Sequence, residues 1–112
     1  MHRIMSRTLL TTLLALSGTA SAQTERLEEG RLAFDKHCST CHENAAAEAP
    51  TAREKSDWQD RSKLWEAVLF EHAQKGYLEM PAKGGAKDAT DYEVEAAAEY
   101  MLTVTHPEMP HD

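Results

Sequence analysis

Cys38-Ser39-Thr40-Cys41-His42 contains both cysteines of the 112-residue chain and constrains its chemistry more than any other segment. Cysteines at positions i and i+3 lie on adjacent parts of one helical turn, so both sulfurs can reach the two vinyl groups along one porphyrin edge. The adjacent His42 would then lie under the iron and offer an imidazole nitrogen as an axial ligand. The spacing therefore predicts covalent attachment of a c-type haem.

Two other interpretations of the cysteine pair stay open. In an exported protein a C-x-x-C pair can be a dithiol or disulfide site, although redox enzymes place it in a context of strands, which this sequence does not predict. A zinc site would need two further ligands. The histidine pair His106 and His111 has suitable spacing but lies in a proline-broken tail far from the cysteines.

The first 22 residues have the pattern of a secretory signal peptide. A basic start that includes Arg3 and Arg7 precedes a short apolar run, and Ala20-Ser21-Ala22 supplies small residues at the cleavage positions. The apolar run is shorter than the roughly 20 residues that a membrane-spanning helix needs. We therefore expect cleavage after Ala22 and export to the periplasm, with residues 23–112 forming the mature domain.

The mature segment is more acidic than the whole chain. The chain has 12 basic and 19 acidic residues, and removal of Arg3 and Arg7 leaves 10 basic residues, a net charge of −9 instead of −7. This charge disfavours binding to nucleic acid and to anionic membranes. A 90-residue domain with few aromatic residues would also gain stability from a disulfide, a metal or a cofactor.

Three helices are predicted, and no segment shows the sustained alternation of a strand. The first runs from about Thr24, the predicted N-cap, to Lys36, with acidic residues near its start. The second runs from about Arg61 to Lys75, and Gly76 is placed to end it in a left-handed conformation.

The third helix begins at a capping box, in which Thr90 and Glu93 satisfy each other's backbone donors. Pro107 closes its pattern of apolar residues. Residues 43–59 and 77–89 are predicted to be loops. This much irregular backbone needs a group inside the domain to pack against.

A haem iron would need a sixth ligand, and the candidates are Met80, Met101, Met109, His72 and His106. Met101 lies on the apolar stripe of the third helix, where a core role is favoured. Met80 is followed by Pro81 and a pair of glycines, so it stands in a loop where a methionine has less structural reason to be. Met80 is therefore the predicted ligand.

The chain resembles the class I c-type cytochromes, and among them it is similar to the small bacterial cytochrome c-five group. The resemblance rests on Cys38–His42, Ala49-Pro50, Trp58-x-x-Arg61, Met80-Pro81-Ala82-Lys83-Gly84-Gly85 and, more weakly, Glu95–Met101. It implies an all-α class I cytochrome c fold, with three main helices and irregular loops wrapped around one covalently bound haem.

The resemblance also implies roles for individual residues. Cys38 and Cys41 would form thioether bonds to the haem, and His42 and Met80 would be the axial ligands of its iron. Pro50 matches the proline whose carbonyl accepts a hydrogen bond from the proximal imidazole, which fixes the ring orientation and raises its basicity.

Two further matches concern the haem edge and the helix crossing. Trp58 and Arg61 match residues near a haem propionate, to which an indole N–H and a guanidinium can donate. Gly30 and Phe34 resemble the pair by which the first helix crosses the last, here against the Ala97–Tyr100 segment.

The function that the resemblance implies is one-electron transfer, not enzyme catalysis, because both axial positions of the iron would be filled. We expect a periplasmic monomer that shuttles electrons between a donor dehydrogenase or respiratory complex and an acceptor. It would need no stable membrane anchor and no nucleic acid. Its acidic charge suggests that at least one redox partner has a basic docking patch. The alternative is a haem-based enzyme or small-ligand sensor with a labile sixth ligand.

Overall fold

The computed structural model describes residues 18–60 and 66–109. Within these ranges the α-helices are α1 Gly18–His37, α2 Ser39–His42, α3 Glu66–Lys75 and α4 Asp91–Thr105. Short 3₁₀ turns lie in the loops at Ala46–Glu48, Lys55–Trp58 and Ala82–Gly85. The described ranges contain no strand, and one isolated β-bridge joins Tyr77 to Met80. The prediction of an all-α fold is confirmed.

Helix α1 begins at Gly18, six residues before the expected start. The prediction of Thr24 as the N-cap is therefore wrong, because Thr24 lies inside the helix. Ala20, Ala22 and Gln23 all tolerate or favour helical backbone, and no proline interrupts the segment. Helix α1 therefore runs through the expected cleavage site after Ala22. Cleavage at this site stays a prediction.

Helix α3 ends as expected. Its last residue is Lys75, and Gly76 follows with a φ of +86°, while the Gly76 N–H donates to the His72 carbonyl at 2.8 Å. This left-handed glycine stops the helix and turns the chain into the next loop. The expected start at Arg61 lies outside the described residues.

Helix α4 begins at the predicted capping box. The Glu93 N–H donates to the Thr90 hydroxyl oxygen at 3.1 Å, and the Glu93 carboxylate accepts in return from Thr90. The helix ends at Thr105, two residues before Pro107. The capping box and the end of this helix are confirmed.

Helices α1 and α4 cross at Gly30 of α1, which faces Ala96 and Tyr100 of α4. A Cβ atom on Gly30 would lie 2.3 Å from the Ala96 carbonyl oxygen and 2.9 Å from the Tyr100 Cβ. Only a residue without a side chain permits this approach. The closest backbone contact is thus with Ala96, one residue before the expected Ala97.

The core is centred on this crossing. Phe34 is fully buried, and its ring lies against that of Tyr100 with centroids 5.4 Å apart. Met101 is buried in the same cluster, which confirms its core role. The sulfur-bearing Cys38 and the indole of Trp58 pack against the edge of the cluster. The core therefore continues directly into the cysteine segment.

An ion pair and a hydrogen bond join α1 to α4 on either side of the core. Arg26 Nε lies 2.9 Å from Glu99 Oε2, and its guanidinium also covers the Tyr92 ring, 4.6 Å from the centroid. At the other end, His37 Nε2 lies 2.9 Å from Glu93 Oε2. This hydrogen bond fixes the C-terminal end of α1, immediately before Cys38.

Candidate haem site

The cysteine segment forms a single helical turn after α1. The N–H of His42 donates to the Cys38 carbonyl at 3.1 Å, and that of Cys41 reaches the same oxygen at 3.3 Å. Both thiols are half-buried and not joined in a disulfide. The turn therefore holds two thiols and an imidazole on one short element, which is the donor arrangement that the motif predicts.

The dithiol alternative conflicts with the electrostatics of this turn. Burial, with a smaller contribution from nearby Cys41, raises the pKa of Cys38 to about 11. A reactive dithiol needs the opposite shift, since the thiolate is the nucleophile. The burial of Cys38 therefore lends no support to a reactive dithiol.

The zinc alternative has no geometric support in the described part of the chain. No three side chains of the metal-binding types His, Cys, Asp and Glu come together there. His106 is buried beside Glu108, and its predicted partner His111 lies outside the described residues.

His42 is buried, and the loop that follows it determines the orientation of its ring. The ring atom Nδ1 lies 2.7 Å from the Pro50 carbonyl oxygen, and the Ala52 N–H donates to the His42 carbonyl at 2.8 Å. Because a carbonyl can only accept, Nδ1 carries the proton. The neutral ring then has its lone pair on Nε2, which is the tautomer that can bind a metal.

Trp58 flanks this imidazole. Its ring lies nearly parallel to that of His42, with centroids 6.0 Å apart and planes at 20°. The indole N–H donates to the Thr51 carbonyl at 2.9 Å, which ties Trp58 to the same loop as Pro50. In this structure the indole therefore supports the loop under His42. Arg61, expected with it at a propionate, lies outside the described residues.

Met80 stands at the end of a tight turn after α3. Tyr77 and Met80 exchange two backbone hydrogen bonds, each 2.9 Å long. Between them Leu78 has a φ of +50°, a left-handed conformation that costs a residue other than glycine about 1–2 kcal/mol. Leu78 is also 81% exposed, so no burial of its side chain offsets this strain.

The ring of Tyr77 connects this turn to α3. It stacks on the His72 imidazole with centroids 3.8 Å apart and an interplanar angle of 6°. An aromatic pair of this kind contributes about 0.5–1.5 kcal/mol beyond the area it buries. His72 therefore has an aromatic neighbour in the turn, and the choice of Met80 over His72 as iron ligand stays a prediction.

The segment after Met80 is fixed to the start of α4. Lys83 Nζ donates to the Ala89 carbonyl at 2.9 Å and lies 2.9 Å from Asp91 Oδ1. A Cβ atom on Gly84 would lie 3.6 Å from the His37 carbonyl oxygen. The Met80 loop therefore packs against the residue that precedes Cys38.

The predicted site residues lie in two parts of the structure. One part brings together the cysteine turn, Pro50 and Trp58, and the other is the Met80 turn at the end of α3. The donor set of two thiols, one imidazole nitrogen and one thioether fits a covalently attached haem. Thr51, His72, Tyr77 and Lys83 support these parts without having been assigned such roles from the sequence.

Comparisons with known proteins identify the family of this chain. Residues 25–101 match the family model described as cytochrome C oxidase, cbb3-type, subunit III. The chain is 34% identical over 106 residues to cytochrome c-555 of Chlorobaculum tepidum, which covers 91% of this chain and 96% of that protein. The chain belongs to the class I c-type cytochromes.

A second relative and a solved structure are cytochromes as well. Cytochrome c-551 of Halorhodospira halophila is 42% identical over 67 residues, covering 59% of this chain and 81% of that one. The cytochrome fold also matches the crystal structure of an electron transfer complex of nitrite reductase with cytochrome c. The TM-score is 0.62, with 27% identity, and the match covers 69% of this chain and 94% of that one.

Membership of this family establishes the general chemistry of the cytochrome. It carries one covalent haem c and transfers electrons, and it is not an enzyme. In the ranges that the structure describes, no helix has the length and apolar character needed to traverse a bilayer.

Proposed function

We propose that this cytochrome is a periplasmic one-electron shuttle whose haem is attached to Cys38 and Cys41, with His42 and Met80 as axial ligands of the iron. The observation that carries the proposal is the hydrogen bond from His42 Nδ1 to the Pro50 carbonyl. It directs the Nε2 lone pair of a buried imidazole away from the Pro50 loop, which leaves that atom to act as a ligand.

The haem supplies a one-electron couple, and the protein residues determine its environment. In the cysteine turn Cys38 packs against the buried cluster, and Cys41 follows one turn later, half-buried. Thioether bonds at this position would hold the cofactor against the α1–α4 crossing. The Pro50 carbonyl would keep the imidazole in one orientation and raise its basicity.

Met80 is favoured as the second axial ligand over Met101 and over Met109, which is 44% exposed in the C-terminal tail. Met101 is buried in the hydrophobic core, whereas Met80 is half-buried at the end of a short turn whose loop packs against His37. Thioether ligation favours reduced iron and raises the potential relative to two histidine ligands. With both axial positions filled, the iron has no position for a substrate.

The surface charge supports docking to a basic partner. Arg31 lies between Glu28 and Asp35, and Lys75 is paired with Glu71, so these cations are already compensated. The net charge of −9 in residues 23–112 therefore comes from acids in excess of their partners. A structural relative forms an electron transfer complex with nitrite reductase, and we propose a similarly direct, transient contact between this cytochrome and its own redox partners.

The ligand assignment can be tested by the absorption spectrum of the haem-loaded, ferric protein. The weak sulfur-to-iron charge-transfer band should be present in the wild type and absent in Met80→Ala. Met101→Leu is the matched control and should keep the band. Loss of the band in the Met101 variant but not in the Met80 variant would contradict the assignment, as would rapid carbon monoxide binding by the ferrous wild type.

The attachment sites can be tested separately. After denaturation in acid and an organic solvent, haem should remain bound to the wild-type polypeptide, and Cys38→Ala with Cys41→Ala should release it. Retention of haem by the double variant would show that the cysteines are not the attachment points.

A further inference from the structure

We propose that His72 and Tyr77 are positioning residues for Met80. Their stacked rings would hold the turn that carries the methionine in one orientation and so strengthen its bond to iron. The inference rests on the proposed His42–Met80 ligation. His72 and Tyr77 both lie outside the cysteine turn.

The backbone of the turn ties Met80 to Tyr77. Both backbone hydrogen bonds of Met80 go to Tyr77, its N–H to the Tyr77 carbonyl and its carbonyl to the Tyr77 N–H. A Cβ atom on Gly76 would lie 2.9 Å from the Met80 carbonyl oxygen and 2.8 Å from the Ala82 nitrogen. The position of Met80 therefore follows the position of Tyr77 closely.

The position of Tyr77 depends in turn on His72. The Tyr77 side chain is 45% exposed, so the hydrophobic core does not enclose it. Its ring lies face to face with the His72 ring at 3.8 Å, which connects the turn to the last part of α3. No described residue of α3 is fully buried, and outside this stack the helix packs against the Ala82–Gly85 turn and against α4.

Strain within the turn explains why such support is needed. Leu78 adopts a left-handed φ that favours glycine, and its exposed side chain makes up none of the cost. A strained turn that is released from its support relaxes toward other backbone conformations. Since Met80 is the last residue of the turn, relaxation would move its sulfur.

The test is a competition for the sixth position of iron in the ferric, haem-loaded protein, with imidazole as the competing ligand. His72→Ala and Tyr77→Ala should each raise the apparent affinity for imidazole about two- to tenfold, which is the range that corresponds to loss of one aromatic pair. The sulfur-to-iron charge-transfer band should weaken in the same variants. His72→Phe, which keeps a flat ring but cannot bind iron, should restore both properties.

Tyr92→Ala is the matched control, because Tyr92 is also an exposed tyrosine, 56% exposed, and contacts Arg26 on the far side of α4. It should lower stability without changing the affinity for imidazole. If His72→Ala and Tyr77→Ala behave like Tyr92→Ala while Met80→Ala binds imidazole more tightly, the positioning role is overturned and the ligation stands. If Met80→Ala binds imidazole no more tightly than the wild type, Met80 is not the ligand and both proposals fail.

Discussion

At the scale of single residues, the contact between His37 and Glu93 links two helices next to the cysteine turn. It joins the C-terminal end of α1, beside the cysteine turn, to the first turn of α4. The imidazole hydrogen bond from His37, followed by the capping bonds from Thr90, holds the pKa of Glu93 below its ordinary value of 4.5. The same carboxylate therefore caps one helix and anchors the other.

This lowered pKa predicts a specific pH dependence of stability. Because Glu93 binds its proton less readily in the folded state, its stabilising contribution is complete above pH 4.5 and is lost as the pH falls through the folded pKa. Glu93→Gln should therefore have a urea midpoint that depends less steeply on pH in the acid range. The measurement is a series of urea unfolding curves between neutral and acid pH.

A double-mutant cycle identifies the origin of the effect. His37→Asn should reduce the acid slope as well, and the combination with Glu93→Gln should add little to either single change, because both remove the same pair. Fully additive slopes would mean that the two residues act separately.

At the scale of the elements, the α1–α4 crossing depends on one missing side chain. The close approach of the two helices leaves no space for a methyl group at Gly30, since the nearest atom is a backbone carbonyl oxygen that cannot rotate away. Two helices at this distance bring Phe34, Tyr100 and Met101 into one cluster. The crossing therefore creates the core on which the cysteine turn rests.

Gly30→Ala should consequently destabilise the cytochrome by about 2 kcal/mol or more, although alanine favours a helix by about 1 kcal/mol over glycine. The overlap with Ala96 must be relieved by moving one helix. Urea unfolding of the haem-loaded protein measures the change. Glu25→Ala, at an exposed position of the same helix, should stay within about 0.5 kcal/mol of the wild type, and equal stabilities for the two variants would contradict the crossing geometry.

The elements also show what the sequence could and could not predict. The capping box at Thr90 and the stop at Gly76 follow from local chemistry, because each needs only residues within one turn. The predicted start of α1 at Thr24 is wrong, since a good cap residue does not prevent a helix from continuing on its N-terminal side.

Some of the contacts that hold the candidate site in place could not be predicted from the sequence. The motif around Cys38 and His42 predicts a haem because the chemistry needs that spacing. The stack of His72 on Tyr77 could not be inferred, because it depends on how Gly76 redirects the chain between them. Similarly, only the folded loop shows that the Trp58 indole donates to Thr51.

At the scale of the whole molecule, the dominant property is the acidic surface. A net charge of −9 in residues 23–112 produces a field that attracts cations and repels anions over roughly one Debye length, about 10 Å at 0.1 M salt. The haem edge through which electrons pass lies within this field if it is exposed to partners.

Two small redox ions of opposite charge can test whether the net charge steers redox partners to the haem, and no known partner protein is needed. Reduction of the ferric protein by hexaammineruthenium(II), a cation, should slow as ionic strength rises from about 0.01 M to about 1 M, because the Debye length falls from about 30 Å to about 3 Å. Oxidation of the ferrous protein by ferricyanide, an anion, should accelerate over the same range. Stopped-flow absorbance measures both rates, and two flat profiles would exclude steering by the net charge.

The contact between His42 and Pro50 has a consequence for how this protein can evolve. The acceptor of the hydrogen bond from His42 is the main-chain carbonyl of Pro50, and every residue that could replace Pro50 also has a main-chain carbonyl. A side-chain carboxylate acting as the acceptor would instead be removed by a single substitution, and its protonation would make the hydrogen bond depend on pH. Substitutions at position 50 that keep the path of the loop should therefore leave the orientation of the His42 ring unchanged. The two predicted ligands have no such protection, because His42 and Met80 each contribute a side-chain atom that a single substitution removes.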